Sequence, residues 1–409
     1  MYARGPLMRW GRRAVCQIGR GAAQRRAYLP IAGLQRVQAG DKVYVGMSGG
    51  VDSSVAAWLL AECGADVEAV FMRNWDTRDE RGECPSERDW RDVQRVCGQL
   101  GIRCHQIDLV KQYWNQVFAV ALDEFAAGRT PNPDILCNSQ IKFGVLLDEI
   151  ARRLAGSDAW FATGHYAQTE LDVNSKQPVL RRGADDKKDQ SYYLSGLAST
   201  QLRRVLFPLG TLDKARDVRQ IARRARLATA EKEESMGICF VGERRRFGEF
   251  IAEYLPLKPG DILSSDSRTI GTHGGLFTKT IGQSARISGM AGKWYIYAKD
   301  AKSNRMYAVE GREHPLLYTG RVVAGPVHWV AGAPPDLGAD NQLRLSAQVR
   351  YMQEPQPCVA TILPDGDVSV AFDRAQYGVA SGQYLVLYAG ERCLGCAQVQ
   401  DGELGARWQ

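Results

Sequence analysis

The stretch Gly46-Met47-Ser48-Gly49-Gly50-Val51-Asp52-Ser53 constrains this chain more than any other. It follows an apolar run, Val43-Tyr44-Val45, and precedes another, Val55-Ala56-Ala57-Trp58-Leu59-Leu60. That order reads strand, glycine-rich turn, helix. Such a turn aims backbone N–H groups and the positive end of a helix at one spot, which suits a phosphate. Paired glycines let the backbone approach an anion, and Ser48, Ser53 and Ser54 add hydroxyls. No Gly-x-x-x-x-Gly-Lys-Ser/Thr occurs in the chain, so the turn is not built around a Walker-type lysine, and it is not Gly-x-Gly-x-x-Gly either.

Strand and helix patterns alternate from this point to about residue 235. The spacing predicts strands over 43–45, 67–72, 104–107 and 160–163. Helices are predicted over 55–63, from Ser86 as N-cap through Trp90, Val93, Val96, Cys97 and Leu100, over 113–127, through Ile141, Val145, Leu146 and Ile150, and over 216–227. Alternation of this kind predicts an α/β fold with a doubly wound parallel sheet and a ligand at the carboxyl ends of its strands. After a Pro/Gly linker at 257–261 comes a Gly-rich central stretch. Short alternating strands then follow over 343–349, 359–363, 368–372, 384–388 and 394–399, which reads as a C-terminal antiparallel β-barrel. The expected division is a leader over 1–39, the nucleotide-binding domain over 40–245, a small central domain over 246–316 and the barrel domain over 317–409.

A chain of 409 residues is too long for one core. No apolar run approaches the ~18–20 residues that span a bilayer, so no membrane association is expected. The net charge of +7 is concentrated at one end, because residues 1–40 hold eight arginines and no Asp, Glu or Lys. Arg-rich, acid-free composition marks a mitochondrial transit peptide and predicts a matrix location. Ten cysteines in a chain of this length do not suggest a disulfide framework. Cys393-Leu394-Gly395-Cys396 is the one Cys-x-x-Cys and has no second pair at zinc spacing, so it reads as strand residues and no structural metal is expected.

Two cysteines stand apart. Cys137 follows Thr130-Pro131-Asn132-Pro133-Asp134-Ile135-Leu136, where two prolines stiffen the approach to a helix start. A thiol there gains thiolate character from the dipole, and Asp134 is close enough in sequence to move a proton. Cys239 lies in Gly237-Ile238-Cys239-Phe240-Val241-Gly242, flanked by glycines that suit a mobile loop.

The 46–53 pattern resembles the PP-loop of enzymes that split ATP into AMP and pyrophosphate. With Phe71-Met72-Arg73-Asn74-Trp75, residues 128–143, Ala162-Thr163-Gly164-His165-Tyr166, residues 188–194, residues 237–244, Val349-Arg350-Tyr351 and Ser381-Gly382-Gln383, the chain resembles the tRNA-specific 2-thiouridylases, in particular their mitochondrial members. The resemblance covers residues 42 to about 397 and implies a PP-loop fold of the adenine-nucleotide α-hydrolase kind. It further implies that Gly46, Met47, Ser48, Gly49, Gly50, Val51, Asp52 and Ser53 hold ATP phosphates with Mg²⁺, and that Met72 and Gly164 line the adenosine. By the same resemblance Asn132, Pro133, Asp134, His165, Lys188, Asp189, Gln190, Arg350, Tyr351 and Gln383 touch tRNA.

The implied reaction adenylates the C2 oxygen of the wobble uridine, at position 34. A persulfide on Cys239, filled by a sulfur-relay protein or a cysteine desulfurase, then attacks C2. Cys137 attacks the persulfide linkage, leaving a Cys137–Cys239 disulfide for a reductant to reopen. An internal thiol performs that release at an effective concentration no free thiol reaches. Asp134 is the implied acid/base. The implied tRNAs are the mitochondrial Lys, Glu and Gln species, and a monomer is expected. One departure is Ile281-Gly282-Gln283-Ser284-Ala285-Arg286, where the family usually has Gly-Gln-Arg. Two rival readings remain at this point. Another PP-loop ligase acting on a small molecule would need neither Cys137 nor Cys239. A non-catalytic RNA-binding sulfur carrier would tolerate Asp52→Ala.

Overall fold

The computed structural model describes residues 36–76, 84–155, 158–233, 247–337 and 340–400. Residues 1–35 of the expected leader, and the whole of 237–244 with Cys239, lie outside the described residues. The first half is built from β1 (Lys42–Met47), α1 (Val51–Glu62), β2 (Asp66–Arg73), α2 (Pro85–Leu100), β3 (Arg103–Asp108), α3 (110–126), α4 (133–155) and β4 (Trp160–Thr163). A hairpin follows, β5 (Ala167–Leu171) and β6 (Pro178–Arg182), then α5 (Ser191–Leu194), α6 (Ser199–Leu202), β7 (Val205–Leu206) and α7 (214–224). The sheet order is β3-β2-β1-β4-β7, with every pairing parallel.

Strand alternation explains the two layers of helices. Val43, Val45 and Met47 face one way and pack with Val55, Leu59 and Leu60 of α1, Val93 and Val96 of α2, and Val218 and Ala222 of α7. Tyr44 faces the other way, into a larger core with Val117 and Phe118 of α3 and Ile141, Phe143 and Leu146 of α4. This is the doubly wound arrangement the alternation predicts. The order in which strands are added reverses at β1, β2 and β3 lying on one side and β4 and β7 on the other, and such a switch point favours a ligand crevice at the carboxyl ends of β1 and β4.

The remaining strands form two further sheets. After α8 (Phe247–Ala252), strands β8 (Gly260–Ser264), β9 (Thr269–His273), β10 (Trp294–Asp300) and β11 (Arg305–Glu310) pair in the order β10-β11-β8-β9. The last group is β12 (Tyr318–Ala324), β13 (His328–Trp329), β14 (Gln342–Gln348), β15 (Gln356–Ile362), β16 (Val368–Tyr377), β17 (Tyr384–Ala389) and β18 (Arg392–Gln398). Its antiparallel order runs β12-β16-β15-β14-β17-β18. Gly325 N donates to Gln398 O at 2.8 Å and Gln400 N to Val323 O at 3.1 Å, so the last strand returns to the first and the sheet closes on itself. Cys393 and Cys396 are buried residues of β18, as their β pattern implies.

Three details differ from the sequence expectation. Ser86 does not cap α2. Cys84 occupies that place with Pro85 after it, and the Ser86 hydroxyl donates to Trp75 O at 2.8 Å instead. The hairpin β5–β6 leaves the parallel sheet and pairs with β18, so the barrel sheet runs on into residues of the first half. Cys137 is near the start of α4, as expected, but one turn past the N-cap Asn132, beyond the helix end where the dipole acts most strongly. Among the described residues, no helix is long and apolar enough to cross a membrane.

Candidate active site

The turn after β1 is folded by its own side chains. Ser48 N donates to Ser53 Oγ at 3.2 Å, and the Ser53 and Ser54 hydroxyls both donate to Gly50 O, at 3.2 and 2.8 Å. Gly49 has φ +76°, and a Cβ there would stand 2.6 Å from the Asp89 carbonyl oxygen, so only glycine fits. Gly50 is the N-cap of α1 and offers no side-chain cap. The first N–H groups of that helix, on Val51, Asp52 and Ser53, therefore lack both an intrahelical acceptor and a capping oxygen. A phosphate chain fits that donor set, and its charge suits the helix end.

Two lysines that no local pattern reveals hold the turn in place. Lys214, buried at the start of α7, donates from Nζ to Asp52 Oδ2 at 2.8 Å, and Tyr166 Oη donates to Asp52 Oδ1 at 2.8 Å. Both Asp52 oxygens are thus committed to protein partners. Lys232 Nζ donates to Gly49 O at 3.0 Å while bridging Asp89 and Asp92 at 2.8 and 2.6 Å. These lysines lie more than 160 positions from the turn, beyond the reach of any spacing argument.

Met72 stands near the carboxyl end of β2, beside β1. Gly164 directly follows β4, and a Cβ on it would lie 2.6 Å from Ser53 N, so the turn and this residue touch backbone to backbone. His165 follows. Lys142 Nζ lies 3.3 Å from its Nε2, and Thr163 Oγ1 lies 2.7 Å from its Nδ1. An ammonium can only donate, so Nε2 accepts and Nδ1 carries the proton toward Thr163. Burial, with help from Lys142, pushes His165 well below its usual range and keeps it neutral.

Lys142 Nζ also donates to Asn138 Oδ1 at 2.9 Å, on the helix that carries Cys137 and Asp134. Cys137 is 6% exposed and packs in the larger core. Burial pushes the Asp134 carboxyl up, with the Lys142 charge pulling against it. Residues Cys137–Val145 wind as a π-helix, whose wider turns are frequent at functional sites.

Of the other residues expected at the tRNA surface, Asn132, Pro133 and Gln383 lie by this helix start, and the rest have partners elsewhere. Asn132 Oδ1 accepts from Asp134 N at 3.2 Å, which makes it the N-cap, and Pro133 follows as the first helical residue. Asn138 Nδ2 donates to Tyr193 O at 3.1 Å, and the Tyr193 and Tyr351 rings meet at a tilt of 37° with centroids 4.1 Å apart. Arg350 is exposed and donates to Tyr377 O at 2.6 Å. Gln190 Oε1 accepts from Tyr166 N at 3.0 Å, and Lys188 is half-buried on the preceding turn. Asp189 is turned inward. Its oxygens accept from Arg182 Nε, Gly183 N and Ser191 N, so it orders the turn from below. Gln383 Nε2 donates to Thr130 O at 2.7 Å.

Burial pushes Cys396 up to about 11 and Cys393 well above the usual thiol range, so both stay protonated in the barrel wall. Among the described residues, no group of three His, Cys, Asp or Glu could hold a metal ion. The pairing of Cys137 with Cys239 falls outside the described residues.

Comparison with known proteins joins these features to a family. Residues 41–243 match the tRNA methyl transferase HUP domain, 248–310 the tRNA methyl transferase PRC-barrel domain and 319–399 the aminomethyltransferase beta-barrel domain. The chain is 46% identical over 361 residues to the tRNA-specific 2-thiouridylase MnmA of Marinobacter nauticus, covering 87% of this chain and 90% of that one. It is 44% identical over 362 residues to the protein of the same name from Bacillus subtilis strain 168, covering 88% and 95%. Against that of Stenotrophomonas maltophilia it is 47% identical over 365 residues, covering 88% and 93%. With a glycine-rich turn at a helix start, family models that match most of its residues and identity at this level along most of its length, the chain belongs to the tRNA-specific 2-thiouridylase family.

Proposed function

We propose that this enzyme converts the wobble uridine of mitochondrial tRNA, of the Lys, Glu and Gln species, to 2-thiouridine in an ATP-dependent reaction. One observation carries the reading. An unbroken chain of contacts runs from the phosphate-type turn through Gly164, His165, Lys142 and Asn138 to the helix of Cys137 and Asp134. This continuity supports activation and sulfur chemistry acting side by side. The 46–53 turn and the α1 N-terminus bind the phosphates of ATP, and Mg²⁺ accompanies the nucleotide as part of the substrate. Asp52 holds the turn's shape through Lys214 and Tyr166.

The uridine leaves its stack, at low cost in an unpaired loop, and enters beside Asp134. Its O2 attacks the α-phosphorus and pyrophosphate departs. The terminal sulfur of a Cys239 persulfide, supplied by a sulfur-relay protein or a cysteine desulfurase, adds at C2 and AMP leaves. The Cys137 thiolate then attacks the Cys239 sulfur. The sulfur–sulfur bond to the product breaks, 2-thiouridine is released and a Cys137–Cys239 disulfide remains for an external thiol to reduce. Asp134 is the acid/base group, in keeping with its raised pKa. The arginine-rich, acid-free first forty residues support a mitochondrial matrix location.

The test is mass spectrometry of the wobble nucleoside after incubating the protein with ATP, Mg²⁺, a sulfide source and unmodified tRNA. 2-Thiouridine is expected, with Cys137→Ser and Cys239→Ser inactive. Unchanged uridine while ATP is split, or full activity in both serine variants, overturns the reading.

A further inference from the structure

The loop between α3 and α4, residues 128–132, leads directly into the Cys137 helix, and it is gripped from both of the later sheets. From the central region, Lys299 of β10 donates from Nζ to Gly128 O at 3.0 Å, and Thr280, in the segment that leads to β10, has its Oγ1 2.7 Å from Thr130 Oγ1. Leu276 packs so closely that a Cβ on Gly128 would stand 3.0 Å from its Cδ1. From the barrel, Ser381 O accepts from Thr130 N at 2.8 Å and Gln383 Nε2 donates to Thr130 O at 2.7 Å. Gly382 lies against the same loop, and a Cβ there would be 3.0 Å from Arg129 Cβ and 3.1 Å from Thr130 N.

A surface loop would meet water along its polar backbone. This one meets side chains from two later segments, Thr280 ahead of β10 and Gln383 just ahead of β17, 150 and 253 positions away in sequence. Burial pushes Lys299 down to about 7, because desolvation disfavours its charged form, and in either form an N–H of the amine reaches a carbonyl of this loop. The Gln383 amide, expected at the tRNA surface, has its nitrogen turned inward to the same purpose.

We propose that Lys299, Thr280 and Gln383 are positioning residues for the thiolation reaction: the central and barrel sheets clamp the 128–132 loop and so seat Cys137 and Asp134. The clamp rests on the function proposed above for its catalytic consequence, and on geometry alone for its structural one. Losing one jaw lets the first turn of α4 shift by a fraction of an ångström. That lowers the rate of the sulfur step without weakening the hold on ATP or tRNA.

The experiment compares Lys299→Met, Thr280→Val, Thr280→Ser and Gln383→Leu with the wild-type chain by two readouts. The first is steady-state 2-thiouridine formation. We expect kcat to fall about tenfold in Lys299→Met, Thr280→Val and Gln383→Leu, with KM for tRNA and ATP within about twofold. Thr280→Ser, which keeps the hydroxyl, should restore most of the rate. The second is native-state alkylation by iodoacetamide, followed by peptide mass spectrometry. Cys137 should react severalfold faster in the three disruptive variants, while Cys358, buried in the barrel core, keeps its wild-type rate.

Equal acceleration of both thiols means general loosening and overturns the clamp. So does a Gln383→Leu chain with raised tRNA KM and unchanged kcat, which would make Gln383 a tRNA contact. Wild-type kcat and wild-type Cys137 labelling in all variants overturn it as well. If the wild-type chain makes no 2-thiouridine, the proposed function fails, and the alkylation arm still decides whether the loop is clamped.

Discussion

Lys142 is the residue on which the charge balance of the crevice turns. Its ammonium lies beside His165 and Asn138 and acts electrostatically on Asp134. Burial holds the Asp134 carboxyl above its usual range, and the lysine's charge opposes that rise. A group that must ionise to accept a proton loses activity as pH falls through its pKa. Lys142→Met removes the opposing charge, so the Asp134 pKa climbs further and the acid limb of the pH–rate profile moves to higher pH. An acid limb that stays in place or moves down would exclude Asp134 as the titrating group. At the phosphate turn, Gly49→Ala places a methyl against the Asp89 carbonyl at a positive φ. Strain of this kind costs about 1–3 kcal/mol, and the melting temperature should fall with it; an unchanged melting temperature together with unchanged ATP affinity would show the turn to be soft. The two glycines and three serines of this turn were legible because strand, turn and helix are contiguous. Lys142, Lys214 and Lys232 were not, because a lysine has no pattern of its own and only the folded chain shows what its charge faces.

Among elements, α3 and α4 do most to build the crevice, and their packing explains why. α3 presents Tyr113, Trp114 and Phe118 to Trp75 at the end of β2. Phe250 of α8 and Tyr254 close the other side of Phe118, with centroids 5.9 and 5.0 Å away. Phe118 is fully buried among the aromatic side chains of Trp75, Trp114, Phe250 and Tyr254. Phe118→Ala should destabilise the chain by about 3–5 kcal/mol, measured by denaturant unfolding. A cost under about 1 kcal/mol would mean that the neighbouring rings collapse to fill the cavity. Both helices were readable from their apolar spacing. Their details were not. Nothing in the residue string distinguishes the wide π turns of 137–145 from α-helix, because the two differ by one residue in hydrogen-bond reach. The caps were missed in a similar way. Ser86 is a good capping type standing two positions too late, after Pro85, and a proline prefers the first helical position. Asn132 was noticed for tRNA, and its carbonyl turned out to cap the helix of Cys137.

At the scale of the whole molecule, the parallel sheet and the barrel could each be read from hydrophobic period, 3.6 against 2, but their mutual grip could not. The hairpin β5–β6 looks like any other pair of short strands in sequence, yet Leu180 pairs with Cys393 and Arg181 with Arg392, so the first half lends a hairpin to the barrel sheet. Around it Leu180, Tyr192, Leu194 and Leu197 share one buried cluster with Val386, Tyr388, Cys393 and Cys396. Tyr192 Oη donates to Tyr384 O at 2.9 Å, and Ser199 N to Val330 O at 2.7 Å. Contacts this apolar and this continuous make the two parts one cooperative unit. The full chain is therefore expected to unfold calorimetrically in a single transition. A fragment ending at residue 316 would leave the β6 edge unpaired and uncover that cluster, a combination that invites edge-to-edge association. It should bind a hydrophobic dye, aggregate on concentration and lose the seat of Thr130 at the same time. Two well-separated transitions in the full chain, or a soluble fragment with native β6 protection in hydrogen exchange, would show instead that the catalytic half stands without its barrel and that the shared sheet is incidental to it.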